Sequence, residues 1–352
     1  MSIDCLRVSV TDRCNLRCVY CHPLPDLGLI EGEFVSRVVS RASSPRFEGG
    51  TSSIQRGQDG RDTGTPSTLR FEEILRIVRL FADCGITKVR LTGGEPLLRR
   101  DIVRLVRELA AVAGIEELSA TTNGVFLEKL APELKAAGLH RVNISVDSIE
   151  RETYERITGF DLLPGVIEGI YRAIDAGLTP VKINCVIIKG LNDSEEQITA
   201  LAGMSVDLPL SVRFIEYCPT NKSTRPAADY VPNATVRAVI ERKYGAISRT
   251  VMPCGNGPAV YFKAPDSAGT IGFISGRTST FCSSCSRLRL TSGGKVMPCL
   301  YSARAHDLKT LISSGQSDRQ IRGFLSRIIA EKVNYTKSNS LKEEFSMCKI
   351  GG

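Results

Sequence analysis

Short β-rich runs alternate with amphipathic stretches from residue 6 to about residue 217, and this alternation restricts the chain to few architectures. The apolar β-rich runs lie at 6–10, 88–91, 117–121, 142–146, 181–188 and 212–215. Between the first two, helical spacing places Phe71, Ile74, Leu75, Val78 and Phe81 on one face. Repeated strand–helix units predict a parallel sheet with right-handed crossovers. We therefore predict an α/β fold, a partial (β/α)6 barrel of the TIM type with its chemistry at the C-terminal ends of the strands.

Two stretches interrupt this alternation. Residues 24–68 are rich in Ser, Gly and Arg and show little apolar periodicity, so we expect a flexible insertion there rather than a binding element. After Cys218 the chain is polar to residue 233, and a helix at 234–244 and strands at 260–263 and 270–274 are expected to follow. The predicted division is a barrel at 1–217 and a smaller C-terminal region at 218–352.

Composition narrows the class of protein. A chain of 352 residues can bury a substantial core, and no apolar run approaches the roughly 20 residues that a membrane helix needs. No secretory or transit peptide precedes the first strand, so we expect a cytoplasmic protein. The formal charge of +8 favours an anionic partner, but Trp is absent, which argues against an extended nucleic-acid surface. Twelve cysteines in such a chain indicate metal binding rather than disulfides.

The first cysteine group follows the first predicted strand directly. Cys14, Cys18 and Cys21 form a C-x3-C-x2-C pattern on one short loop. Three thiolates can hold an iron–sulfur cluster and leave one iron open for a small molecule. The alternative is a zinc knuckle completed by His22, although adjacent Cys21 and His22 would be awkward ligands of one tetrahedral ion.

Glycines, which let the backbone approach a ligand closely, and polar residues also stand at the ends of the next strands. They are Gly93, Gly94 and Glu95 after the second strand, Thr121, Thr122 and Asn123 at the third, and Ser145 and Asp147 at the fourth. Such positions in a barrel are typical of a binding site, and helix capping is the alternative for Thr and Asp. Lys182 lies within an apolar strand, where an unpaired charge is costly, so we expect an anion beside it.

The second cysteine group is C-x2-C-x13-C, formed by Cys282, Cys285 and Cys299. Its spacing alone also fits a structural zinc site with His306 or Cys254 as the fourth ligand. Arg287 and Arg289 follow at strand spacing, which projects both guanidiniums from one face beside the metal. Guanidinium groups match phosphate oxygens, and a structural zinc hairpin does not require such a pair.

Together these segments resemble one enzyme family. The loop TDRCNLRCVYC, with Tyr20 before the last cysteine, resembles the signature of the radical S-adenosylmethionine (SAM) superfamily. With KVRLTGGEPLLRRD, TTNG, VNISVD, PVKINCVI, VRFIEY, FCSSCSRLRLTSGGK and the terminal IGG, the chain is similar over nearly its whole length to the GTP 3′,8-cyclase family of molybdenum-cofactor biosynthesis. This resemblance implies a partial barrel of the radical SAM kind.

The resemblance also implies cofactors and their ligands. It implies SAM and two [4Fe-4S] clusters, the first on Cys14, Cys18 and Cys21 and the second on Cys282, Cys285 and Cys299. By motif position, SAM would contact Tyr20, Gly94, Ser145 and Cys218, and Glu95 would bind its amino group. GTP would contact Arg7, Arg90, Thr121, Lys182, Arg287, Leu288 and Arg289. The Gly351–Gly352 tail would enter the active site.

The implied activity is that of a lyase. A 5′-deoxyadenosyl radical from SAM would abstract the C3′ hydrogen of GTP, and attack of C3′ on C8 would give 3′,8-cyclo-7,8-dihydro-GTP. An external electron donor and a downstream cyclic pyranopterin synthase are implied partners, and the oligomeric state is open, with a homodimer among the options. Cys218 departs from the family pattern, which often has Met there, and a thiol keeps a similar soft side chain.

Three other hypotheses compete with the assignment to this enzyme family. A peptide-modifying radical SAM enzyme would not need the Arg287 and Arg289 pair or the Gly-Gly tail. A zinc protein without enzymatic activity would be colourless. An inactive copy would follow if the altered stretch after His22 disturbs the cluster loop.

Overall fold

The computed structural model describes residues 3–21, 68–218, 226–251, 257–279, 285–300, 302 and 304–333. Apart from Thr68, the predicted insertion at 24–68 lies outside these residues, as do Cys282 and the Gly351–Gly352 tail. Within the described ranges, no helix is both long and apolar enough to cross a membrane.

One sheet organises the described part of the chain. Its strands are β1 Cys5–Ser9, β2 Lys88–Thr92, β3 Glu117–Thr122, β4 Arg141–Ser145, β5 Lys182–Ile187, β6 Ser211–Glu216, β7 Ser248–Thr250, β8 Val260–Lys263, β9 Thr270–Ile274, β10 Arg287–Leu290, β11 Lys295–Met297 and β12 His306–Asp307. Their order in the sheet is β12-β11-β10-β1-β2-β3-β4-β5-β6-β9-β8-β7. In this order, neighbouring strands between β10 and β9 are parallel. The two pairs at each edge, β12-β11 and β11-β10 on one side and β9-β8 and β8-β7 on the other, are antiparallel. Among the described residues the first and last strands of this order do not pair with each other, so the barrel that they form is open.

Helices cover the outer face of this sheet. They are α1 Phe71–Ala82, α2 Ile102–Ala110, α3 Leu127–Ala136, α4 Arg151–Thr158, α5 Leu163–Asp175, α6 Glu195–Asp207, α7 Asn233–Tyr244, α8 Leu308–Ser313 and α9 Asp318–Val333. The apolar face predicted for α1 is buried as expected. The partial barrel predicted from the strand–helix alternation is confirmed, and each of the six predicted strands lies within a residue or two of an observed one.

The two faces of the parallel strands differ sharply in polarity. On the outer face, Leu6 and Val8 of β1 and Val142 and Ile144 of β4 have no exposed surface and join the hydrophobic core. On the inner face most of the alternate residues are polar or charged. Because successive side chains of a strand point to opposite faces, the two-residue alternation in the sequence places apolar residues against the helices and polar residues in the interior of the barrel.

The C-terminal region extends both edges of the six-stranded sheet. Strand β10 pairs with β1, so that Arg287 lies beside Cys5 and Arg289 beside Arg7, and β9 pairs with β6. The strands predicted at 260–263 and 270–274 are observed as β8 and β9, and the helix predicted at 234–244 is α7. The second cysteine group is therefore joined to the first strand of the barrel through a shared sheet.

Glu216, at the end of β6, connects three segments of the chain. The residue is 2% exposed. Its carboxylate accepts hydrogen bonds from the N–H groups of Asn233, Arg277 and Thr278 at 3.0–3.2 Å and from Thr278 Oγ1 at 2.7 Å. Burial raises the pKa of this carboxyl, but the hydrogen bonds from Thr278 and the backbone outweigh it and hold the pKa below its usual value. An ionised carboxylate thus fixes the start of α7 and the loop after β9 to the barrel.

Glu216→Gln is expected to lower the free energy of unfolding by about 2 kcal/mol at neutral pH, because an amide turns one acceptor into a donor facing other donors. The folded pKa is lowered, so this stabilisation is present above the unfolded value of 4.5 and is lost as the pH falls through the folded pKa. Denaturant titration of the metal-free protein measures it. Glu195→Gln, which removes an exposed ion-pair partner of Arg242, is the control, and equal losses in both variants would contradict the prediction.

Candidate active site

The loop that follows β1 carries the first cysteine group and is anchored on one side by the turn after β2. Gly94 donates its backbone N–H to Thr11 O at 2.9 Å, and Glu95 donates to Arg13 O at 2.7 Å. Asn123, in the turn after β3, donates from Nδ2 to Asn15 Oδ1 at 2.7 Å. We call residues 10–21 the cysteine loop. The turns after β2 and β3 therefore hold this loop over the C-terminal ends of the strands.

The other side of the cysteine loop is held by α4 and by the end of β4. The N–H of Arg17 donates to Thr158 O at 2.8 Å, and the N–H of Val19 donates to Ile157 O at 3.0 Å. Tyr20 donates its hydroxyl to Asp147 Oδ2 at 2.6 Å. The predicted SAM contact Tyr20 is therefore oriented by a residue that the sequence placed at a strand end.

The thiols of Cys14, Cys18 and Cys21 have the chemistry that a metal cluster needs. Burial raises the pKa of Cys18 well above its usual value, and the negative charges of Cys21, Asp147 and Cys14 raise it further. Bringing several thiolates together is unfavourable unless a cationic centre compensates them, and iron supplies that charge. The described loop therefore fits an iron–sulfur cluster by its donor set.

A single metal ion fits the described residues less well. Among them, no three His, Cys, Asp or Glu side chains group closely enough to hold one ion. A zinc site needs every sulfur at about 2.3 Å from the same ion, whereas a cluster spreads its thiolates over several iron atoms. The proposed completing ligand of the zinc alternative, His22, lies outside the described residues.

Gly93 and Gly94 are required by the cysteine loop itself. A Cβ at Gly94 would lie 2.1 Å from Arg13 O, and one at Gly93 would lie 2.4 Å from Thr11 O. Gly93 also has a φ of +150°, which L side chains rarely adopt. The glycines thus permit close approach of two backbone segments.

Gly94→Ala is expected to displace the cysteine loop and to reduce iron incorporation several-fold, because the new methyl group overlaps backbone atoms that no side-chain rotation can move. Iron and sulfide analysis after anaerobic reconstitution measures this. Gly165→Ala in α5, where a Cβ meets nothing within 4 Å, is the matched control. Normal iron content in Gly94→Ala would show that the loop does not depend on this contact.

Glu95 lies at the centre of the turns that hold the loop. It is 1% exposed and accepts hydrogen bonds from Leu97 N–H at 2.9 Å, Thr122 Oγ1 at 2.7 Å and Asn123 N–H at 2.7 Å. Burial raises the pKa of Glu95 to about 7, although these hydrogen bonds favour the ionised form. A buried carboxylate of this kind gains stability from a cation beside it.

A row of guanidiniums lies on the inner face below the cysteine loop. The strand register places Arg289 of β10, Arg7 of β1 and Arg90 of β2 side by side, and we call these three residues the basic row. The pKa of Arg7 lies well below its usual value because of burial, followed by repulsion from Arg289, Arg287 and Arg90. So many close cations are unfavourable on their own and form a strong binding site for a polyanion.

Several polar atoms on the inner face are buried without hydrogen-bond partners among the described residues. They are Thr92 Oγ1, Asn184 Oδ1, Arg213 Nε and both Nε and Nη1 of Arg141. Buried polar groups are normally paired, so a clustered set of unpaired ones on one face indicates a polar ligand. The inner face therefore fits SAM and a phosphorylated substrate by its chemistry.

The structure places the remaining predicted residues as follows. Thr121 is the last but one residue of β3, and Ser145 is the last residue of β4. Lys182 begins β5, with Nζ 5.8 Å from the centre of the Tyr261 ring, and Cys218 lies just after β6. Leu288 is fully buried and joins the hydrophobic core on the face opposite to Arg287 and Arg289. Only its backbone is left for a substrate contact.

The second cysteine group is described in part. Cys285 and Cys299 are partly exposed, whereas Cys282 and the alternative zinc ligand Cys254 lie outside the described residues. Arg287 Nε donates to Cys285 Sγ at 3.4 Å, and Lys332 Nζ donates to the same sulfur at 3.5 Å. Burial raises the pKa of Cys285, but the charges of Arg287 and Lys332 outweigh it and lower the pKa to about 7. The sulfur is thus poised as a thiolate, the form that binds metal.

Sequence reasoning missed three basic residues near these groups. Burial is the main reason that the pKa of Arg90 falls to about 10. The charge of Cys5 opposes this shift, and the charges of Arg141, Arg213 and Arg287 add to it. Arg141 lies level with Arg90 in the sheet, two strands away. Its alternation with the apolar Val142 and Ile144 is a sequence signal that could have placed it on the inner face. Lys332 had no such signal, because only the docking of α9 brings it to Cys285.

Comparisons with known proteins agree along the whole chain. The Radical SAM superfamily profile matches residues 8–202, and the Molybdenum Cofactor Synthesis C profile matches residues 210–338. A GTP 3′,8-cyclase of Pelotomaculum thermopropionicum is 41% identical over 99% of this chain and 98% of its own, and one of Moorella thermoacetica is 38% identical with the same coverage.

Solved structures add the fold. SuiB of Streptococcus suis bound to S-adenosylmethionine superposes with a TM-score of 0.56 at 15% identity, over 92% of this chain and 68% of that chain. At this identity the likeness concerns the architecture alone. The cysteine loop, the inner basic row and the full-length relatives together show that the chain belongs to the GTP 3′,8-cyclase family of the radical SAM superfamily.

Proposed function

We propose that this chain is a GTP 3′,8-cyclase that binds GTP and SAM and forms the bond between ribose C3′ and guanine C8. The product, 3′,8-cyclo-7,8-dihydro-GTP, begins molybdenum-cofactor biosynthesis. The observation that carries the proposal is the row of Arg289, Arg7 and Arg90 on the face that the cysteine loop covers. Relatives at 41% and 38% identity are named for this activity.

The position of each group along the strands supports two separate binding regions. The residues proposed for SAM, including Gly94, Glu95 and Ser145, lie at or just beyond the C-terminal ends of their strands. The residues proposed for the triphosphate, including Arg7 and Arg90, lie in the middle of theirs. The anion would therefore bind deeper in the barrel than SAM, where water is excluded from a reactive radical.

The proposed cofactors are SAM and two [4Fe-4S] clusters. When bound, SAM and the first cluster on Cys14, Cys18 and Cys21 supply the 5′-deoxyadenosyl radical that starts the reaction. The second cluster would be held by Cys282, Cys285 and Cys299. An external electron donor and a cyclic pyranopterin synthase that consumes the product complete the proposed set of partners, and a homodimer is one proposed assembly.

The basic row has two tasks in this proposal. It binds the triphosphate through charge-assisted hydrogen bonds, and it holds the nucleotide in one orientation so that the ribose cannot leave the radical source. Burial, and after it the repulsion between neighbouring guanidiniums, lowers the pKa values of Arg7 and Arg90, and a bound triphosphate would compensate both effects. GTP should therefore stabilise the protein against heat even without metal.

The pH dependence of SAM binding follows from Glu95. A cationic ammonium group favours the ionised carboxylate, so the pKa of Glu95 in the complex falls below its value of about 7 in the free protein. Affinity is then full above about pH 7 and declines as the pH falls, by at most tenfold per unit. Equilibrium binding of S-adenosylhomocysteine at a series of pH values measures this. The Glu95→Gln variant should bind the ligand more weakly, and its affinity should not decline as the pH falls. The same decline in this variant as in the parent protein would contradict the role of Glu95 in binding the amino group.

An anaerobic assay with reconstituted protein, GTP, SAM and dithionite tests the activity. Formation of 5′-deoxyadenosine together with the cyclised nucleotide is the expected result. Cleavage of SAM without consumption of GTP would overturn the proposed substrate. A thermal shift of the metal-free protein with GTP and with tripolyphosphate separately tests the anion site, and no shift with either would contradict the role of the basic row.

A further inference from the structure

Lys332 is a buried cation directed at a cysteine. The residue is 3% exposed, and Nζ lies 3.5 Å from Cys285 Sγ. Arg287 Nε lies 3.4 Å from the same sulfur, so two basic side chains donate to one thiol. Lysine is seldom this deeply buried unless an anion accompanies it.

Tertiary packing alone brings Lys332 to this place. Helix α9 docks on α1 through Arg76 Nη2 and Asp318 Oδ1 at 2.8 Å, and Arg322 Nη1 and Asp83 Oδ2 lie 3.0 Å apart. The apolar face of α9 is buried, with Ile321, Leu325 and Ile328 at most 1% exposed. Because the helix is fixed along its length, the position of Lys332 near its end is defined.

Charge near a metal-bound sulfur has a known consequence. A thiolate-ligated cluster gains negative charge when it is reduced, and hydrogen bonds to its sulfur atoms favour the reduced state. Residues that donate to a ligand atom also fix its orientation. Two cationic donors on Cys285 would both favour the reduced state and fix the orientation of the sulfur. The hydrophobic packing of α9 on α1 would not by itself require a lysine at position 332.

We propose that Lys332 is a positioning residue of the second metal centre. Together with Arg287 it donates a hydrogen bond to the Cys285 thiolate, and it thereby stabilises the reduced state of the cluster. This inference rests on the second cluster of the proposed function. It assigns the end of α9 a role in the electronic properties of the active site.

The test uses the full-length protein with Cys14, Cys18 and Cys21 all replaced by serine, so that signals arise from the second centre alone. Lys332→Met removes the charge and the donor, and Lys332→Arg retains both. Lys295→Met removes a charge from an exposed position of β11 in the same C-terminal region and is the matched control. Iron and sulfide content, circular dichroism and a redox titration followed by electron paramagnetic resonance are measured for each.

The expected result is a lower midpoint potential in Lys332→Met, partial recovery in Lys332→Arg and no change in Lys295→Met. Loss of the cluster from folded Lys332→Met, with retention in Lys295→Met, would also support the role. Equal cluster content and equal potential in Lys332→Met and Lys295→Met would overturn it. If the parent protein holds no second cluster, the proposed cofactor set fails, and the inference about Lys332 fails with it. If Lys332→Met does not fold, Lys332→Gln, which keeps a donor without charge, replaces it in the same comparison.

Discussion

Cys14→Ser is expected to reduce SAM cleavage to the background rate while the protein remains folded. The loop offers three thiols, and the loss of one removes a proposed iron ligand that a hydroxyl replaces poorly. Cys14 Sγ also accepts the N–H of Leu16 at 3.4 Å, and a serine oxygen can take over that contact. The loss therefore arises from metal binding and not from the loop backbone. Formation of 5′-deoxyadenosine under reducing conditions measures the effect.

Two further variants make this result specific. Cys84→Ser replaces a cysteine that lies just after α1 and belongs to neither cysteine group, and it should leave SAM cleavage intact. Cys285→Ser should retain some SAM cleavage but lose GTP cyclisation, because we propose that the second centre binds the substrate. SAM cleavage in Cys14→Ser at the rate of Cys84→Ser would contradict the first prediction, and normal cyclisation in Cys285→Ser would contradict the role of the second centre.

Arg289→Ala is expected to lower kcat/KM for GTP by about a hundredfold or more, which corresponds to roughly 3 kcal/mol for a lost charge-assisted contact. The effect on folding should be much smaller. Arg289 is, after burial, the largest cause of the lowered pKa of Arg7, so its removal also relieves repulsion in the ligand-free protein. We expect the free energy of unfolding to change by less than about 1 kcal/mol.

The two effects are measured separately, by steady-state kinetics on the reconstituted enzyme and by denaturant unfolding of the metal-free protein. Arg172→Ala in α5, whose side chain is 54% exposed and paired with Glu168, controls for the loss of an arginine. A large loss of stability in Arg289→Ala with unchanged kcat/KM would show that Arg289 serves the fold and not the substrate.

Much of the barrel could be predicted because its signals are local. The apolar face of α1 has helical period, and strands β2, β8 and β9 were located to within one residue. Arg287 and Arg289 were predicted to share a face from period-two spacing, and the register of β10 beside β1 places both on the inner face with Arg7. The alternation around Arg141 could have placed this residue on the inner face, but its position level with Arg90 depends on the register of three strands.

The sequence alone determined the alternation of strands and helices, the cysteine loop and the family, because each depends on residues close together in the chain. Only the tertiary structure showed that Arg289, Arg7 and Arg90 form one row, that Glu216 joins three segments and that Lys332 reaches Cys285. These contacts join residues that are up to hundreds of positions apart. Strand register and helix docking, which no local pattern encodes, create them.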